Sequence, residues 1–102
     1  MEYHHRILRL PAVKARVGLS RSTIYLRIAQ GSFPEPVSLG GRAVGWVEDE
    51  VAALNAARIA GKTDEEIRAL MVKLEAARKS VAAAKARPNG PDAQAKQPGT
   101  SA

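Results

Sequence analysis

The chain has 102 residues, a formal charge of +6 and a pI of about 10.2. That leaves room for one small domain with an appendage and favours an anionic partner, nucleic acid or a charged surface. It contains no cysteine, which excludes a disulfide framework and a thiolate metal site; no apolar run approaches the ~20 residues of a membrane span.

The start, Met1-Glu2-Tyr3-His4-His5-Arg6, is polar and lacks the apolar centre of a secretion signal, so a cytoplasmic location is expected. His4 and His5 are adjacent, point in different directions on any regular element, and are too few for a metal site. Residues 1–5 therefore read as a frayed end. Ile7-Leu8-Arg9-Leu10 is a short apolar run that either packs over the domain or pairs as a brief strand. Pro11 suits the first position of a helix, where its missing N–H costs little. A first helix is predicted over residues 11–17, with Ala12, Val13 and Val17 inward and Lys14 and Arg16 outward.

Gly18 can adopt the left-handed conformation that ends a helix. Ser20 then serves as the N-cap of a second helix, and Leu19 and Ile24 fit a hydrophobic staple around it. Ile24 and Ile28 lie four apart and share the buried face. Short helix, glycine-containing turn and second helix make up a helix-turn-helix. The exposed residues of the second helix can meet phosphates and base edges together. The competing interpretation is an ordinary amphipathic surface helix. Gly31 offers a stop, and Pro34 and Pro36 force an extended path. Phe33 is expected to plug the core beneath the second helix.

Val37-Ser38-Leu39 and Ala43-Val44-Gly45-Trp46 alternate in polarity around Gly40-Gly41-Arg42, as the two strands and tip of a hairpin do. In a DNA-binding domain that hairpin is a wing carrying Arg42 at its tip; otherwise Arg42 is a solvated turn residue. A third helix is predicted over residues 48–60, capped by Glu48 or Asp49, with Val51, Leu54, Ala57, Arg58 and Ile59 on its partly apolar face. Thr63-Asp64-Glu65-Glu66 has the form of a capping box. A long fourth helix of strong helix formers should follow over residues 64–86. Ile67, Leu70, Leu74, Ala77, Val81 and Ala84 recur at heptad spacing along it. This stripe either pairs two protomers or folds back, through Ile67, Leu70, Met71 and Leu74, onto the domain. Residues 88–102 are rich in Pro, Gly and polar residues and read as disordered.

From Arg6 to about Ala60 the sequence resembles the AlpA family of small prophage-encoded regulators. The resemblance is carried by Arg6-Ile7-Leu8-Arg9-Leu10-Pro11, Gly18-Leu19-Ser20-Arg21-Ser22-Thr23-Ile24-Tyr25, Gly31 with Phe33-Pro34, Val37, Leu39-Gly40, Arg42, Val44-Gly45-Trp46 and Glu50-Val51. Several separated pieces agree in order and spacing. The resemblance implies a winged helix-turn-helix of the excisionase and MerR kind, and DNA-binding control of phage or mobile-element genes. Leu54 stands where the family often has tryptophan and keeps that position apolar. The fourth helix and the tail lie beyond the resemblance.

The expected architecture is thus mainly α with a small β-hairpin: a winged helix-turn-helix at residues 5–60, a long amphipathic helix at 61–87 and a tail at 88–102. The expected function is sequence-specific binding of double-stranded DNA in transcription regulation. The alternatives are an excisionase-like recombination directionality factor and an interaction module working through the long helix. Candidate DNA contacts are Ser20, Arg21, Ser22, Thr23, Tyr25 and Arg27 on the second helix and Arg42 on the wing. Candidate dimer contacts are Ile67, Leu70, Leu74, Ala77 and Val81. With histidines only at the frayed start and no phosphate-cradling lysine-serine loop, no catalytic, cofactor or small-molecule site is expected.

Overall fold

A computed structural model of the chain describes residues 6–86, with side chains from Arg6 to Lys79. The elements run β1 (Ile7–Leu8), α1 (Leu10–Val17), α2 (Arg21–Ala29), β2 (Val37–Gly40), β3 (Ala43–Val47), α3 (Glu48–Ile59) and α4 (Asp64–Ala86). The expectations for residues 1–5 and for the tail at 88–102 lie outside the described residues, as do the side chains of Val81 and Ala84.

Local chemistry explains each boundary. α1 begins at Leu10, one residue before Pro11, and ends where Gly18 takes φ 69° and donates its N–H to the Lys14 carbonyl at 2.8 Å. The Ser20 hydroxyl caps α2 by accepting from the Thr23 amide at 3.3 Å. α2 closes through Gly31, at φ 77°, and the Ser32 amide donates to the Arg27 carbonyl at 3.0 Å. The capping box at α4 is reciprocal: the Thr63 hydroxyl accepts from the Glu66 amide at 3.1 Å, and Glu66 Oε1 accepts from the Thr63 amide at 2.8 Å. α3 departs from expectation. Its N-cap is Val47, with no side-chain cap; Glu48 and Asp49 lie inside the first turn, where their charge favours the positive end of the helix. Glu48 instead pairs with Arg16 of α1 at 2.9 Å.

The three strands form one antiparallel sheet in the order β1-β3-β2. Ile7 and Leu8 pair with Val47 and Trp46, which settles the apolar run before α1 as a brief strand. The hairpin pairs Val37 with Gly45 and Ser38 with Val44, and an irregularity between Ser38 and Gly40 leads into its tip. Helices and sheet close over one core whose largest fully buried side chains are Trp46, Phe33, Ile24, Ile67, Val13 and Val51. Trp46 satisfies its indole N–H on the Pro34 carbonyl at 3.1 Å, so the extended segment after α2 is held beneath the sheet.

α4 packs on this core. Ile67 and Met71 are buried, and Leu70 and Leu74 pack partly buried against them. Arg78 reinforces the contact: its Nε and Nη2 donate to Glu50 Oε2 and Oε1 at 2.7 and 2.6 Å, and Nη2 also donates to the Glu35 carbonyl at 2.6 Å. Hydrogen bonding to Glu50, more than any opposing burial, raises the Arg78 pKa above its ordinary value. The fold-back arrangement therefore describes the first half of the stripe. Ile67, expected among the dimer contacts, has no surface left for a second chain. Ile59, placed by periodicity on the apolar face of α3, is 87% exposed.

Candidate nucleic-acid interface

The candidate residues of α2 are held by two neighbours, its own cap and the sheet. Ser20, Arg21 and Ser22 are exposed at the start of the helix and Thr23 is half-buried. The Ser20 hydroxyl donates to Thr23 Oγ1 at 3.0 Å and lies 3.3 Å from Ser22 Oγ, so the first turn is fastened by its own side chains. One turn on, the Arg21 guanidinium lies over the Tyr25 ring, 5.2 Å from its centroid. Tyr25 in turn meets Trp46 edge to face, with centroids 6.2 Å apart at 73°. The core tryptophan thus positions the tyrosine, and the tyrosine positions the arginine.

Arg27 sits half-buried on the other flank of α2. Arg42 is exposed at the hairpin tip, far from α2 in sequence but carried by the strand pair whose second strand contains Trp46. Among the described residues none of Arg21, Arg27 and Arg42 pairs with a carboxylate, and α2 contains no acidic residue. These positive charges are therefore available to an anionic surface. By contrast, Arg16, Arg58 and Arg78 are bound to Glu48, Asp64 and Glu50.

Sequence reasoning overlooked two features of this region. Leu26, in the middle of α2, is 56% exposed; counting helical turns from the buried Ile24 would have placed it on the outer face. Arg68 of α4 donates Nε to the Gln30 carbonyl at 3.0 Å, bringing a cation to the C-terminal end of α2. No local pattern announces a contact between residues 38 apart. Of the candidate dimer contacts, Leu70 and Leu74 are half-buried against the core and Ala77 is exposed. Among the described residues no group of three or more metal-ligating side chains is assembled, and no helix is long and apolar enough to cross a membrane.

Comparison with known proteins places this region within a family pattern. The model of the family described as "Prophage CP4-57 regulatory protein (AlpA)" matches residues 6–58, from β1 to the last turn of α3. The chain is 56% identical over 57 residues to "Uncharacterized protein ORF88" of Enterobacteria phage P4, an alignment covering 56% of this chain and 65% of that protein. The chain thus spans just under two thirds of that relative's length. It is 44% identical over 52 residues to "DNA-binding transcriptional activator AlpA" of Escherichia coli (strain K12), covering 45% of this chain and 74% of that protein. No solved structure matches.

Proposed function

The chain belongs to the prophage CP4-57 regulatory protein (AlpA) family, and from that premise we propose that it binds duplex DNA sequence-specifically and regulates transcription in a prophage or mobile element. In this reading α2 enters the major groove and the hairpin lies against the adjoining backbone as a wing. Ser20, Arg21, Ser22, Thr23, Tyr25 and Arg27 meet DNA from α2, and Arg42 from the wing. The observation that carries the reading is the set of three arginines without carboxylate partners among the described residues, distributed over an acid-free helix and the hairpin tip. The name of the E. coli relative, a DNA-binding transcriptional activator, supports the same partner.

The family relationship does not extend to α4, which lies beyond the matched residues. Pairing of two protomers along the rest of the α4 stripe, Leu70, Leu74, Ala77 and, by its place in the sequence, Val81, is proposed to be marginal alone and helped by DNA that brings the protomers together.

The test is a salt titration of duplex binding with the full chain. Each phosphate neutralised lowers the logarithm of affinity by roughly 0.9 per log unit of salt. Arg42→Ala should weaken all duplexes alike and reduce that slope by about one contact. A flat titration between low and physiological salt would sink the reading. Mapping the bound sites then separates promoter control from an excisionase-like role, which would place them within an attachment site.

A further inference from the structure

We infer that Leu26 is a base-reading residue whose side chain takes the 5-methyl group of a thymine on the floor of the major groove, flanked by Arg21 and Arg27 on the phosphate walls. The inference rests on the DNA-binding reading above.

The geometry of α2 separates these roles. An α-helix turns about 100° per residue, at 3.6 residues per turn. Ile24, fully buried, defines the inward direction. Leu26 then points about 200° from it, almost straight outward. Ser22, four residues before, and Ala29, three after, continue the same outer ridge, and both are exposed. Arg21 and Arg27 project about 60° to either side of Ile24, on opposite flanks of the helix. Arg21 is held on its flank by the Tyr25 ring, and Arg27 is half-buried on its own.

A helix with its side chains is about as wide as the major groove, roughly 10–12 Å against about 12 Å. Its outer ridge therefore meets base edges and its flanks meet the two backbones. On this ridge Ser22 and Ala29 are short and permit close approach, so Leu26 is the side chain that reaches furthest. An isobutyl group forms no hydrogen bonds. The one apolar feature on a major-groove base edge is the thymine methyl, and leucine complements it. A cytosine amino group or a guanine carbonyl beneath the same leucine would lose water without compensation, so those bases are disfavoured there.

The fold does not require a leucine at this position, because Ile24 and Ile28 supply the buried face of α2. A protein surface is the competing occupant. The charge pattern favours DNA: one apolar side chain lies between two cations on a helix with no carboxylate. That frame suits a polyanion with methyl groups between its two charged strands.

The experiment uses the full chain. Duplexes are first selected from a random library. In the tightest one, each thymine is then replaced singly by deoxyuridine, which removes only the methyl. One methyl of apolar contact corresponds to about fourfold in affinity. The wild-type chain should lose about fourfold at one thymine. Leu26→Ala should be indifferent to that replacement while keeping the native response at every other position. Leu26→Met should retain the sensitivity. Because Leu26 is exposed, circular dichroism and melting of both variants should match the wild type.

Identical uridine profiles for wild type and Leu26→Ala would overturn the inference and leave DNA binding intact. So would a selected site with no methyl-sensitive thymine, a uniform loss by Leu26→Ala on all duplexes, or a protein ligand competing for the ridge. If no duplex is enriched at all, the DNA-binding reading fails and this inference fails with it.

Discussion

Gly45 shows how one hydrogen atom in place of a side chain can decide the shape of a small sheet. Its φ is unexceptional, so left-handed backbone is not the reason for glycine here. The reason is space: a Cβ would collide with the Ile7 side chain, stand 3.1 Å from the Leu8 carbonyl oxygen and 3.2 Å from Leu39 Cδ1. Ile7 and Leu39, from the two strands flanking β3, thus close over the gap that glycine leaves. The Leu8 carbonyl belongs to backbone and cannot swing aside. Gly45→Ala should therefore destabilise the fold by about 1–3 kcal/mol, the range for overpacking. A lowered urea midpoint at unchanged slope would show it, and an unchanged midpoint would mean that β1 moves freely. Strand alternation in the sequence marks which face Gly45 is on and not what lies across it.

At the level of elements, the contacts legible in the sequence are those closed within a turn of helix. Ser20 capping α2, Gly18 and Gly31 ending helices, and the Thr63–Glu66 box all join residues within five positions, so spacing alone specifies them. The Glu50–Arg78 pair joins residues 28 apart and could not be read. The α4 stripe is intermediate: its period was evident, but a stripe does not name what covers it. Two predictions follow from these junctions. Glu66 has its pKa lowered from 4.5, first by the Thr63 amide hydrogen bond. A depressed folded pKa stabilises above the unfolded value and is lost as pH falls through the folded one. Helicity at the start of α4 should therefore hold from neutral pH to about 4.5 and fall below it, and Glu66→Gln should flatten that response in circular dichroism. At the far contact, Glu50 is 5% exposed and its carboxylate is met by Arg78 through two hydrogen bonds. Arg78→Ala strands that buried charge and should cost about 3 kcal/mol, whereas replacing both residues by methionine should recover most of the loss. A double-mutant cycle in urea measures the difference; additive effects would refute the coupling.

On the scale of the whole molecule, the family boundary and the physical boundary do not coincide. The family pattern ends at residue 58, yet the core continues into α4 through Ile67 and Met71. Small domains hold only about 5–15 kcal/mol of net stability, and removing a buried isoleucine to alanine costs about 2–5. Ile67→Ala should accordingly lower the melting temperature of the entire chain in a single transition, and truncation after Gly61 should leave residues 6–58 without stable cooperative folding. The same burial limits self-association. Ile67 is unavailable and Leu70 and Leu74 are half covered, so among the described side chains α4 offers a partner mainly Val72, which is 68% exposed, and Ala77. A fully buried valine or leucine contributes about 1.5–3 kcal/mol, while association costs at least about 4. The free chain should therefore sediment as a monomer at micromolar concentration. On a duplex carrying two half-sites it should sediment as two protomers, because DNA raises their effective concentration. A dimer already present without DNA would overturn this account.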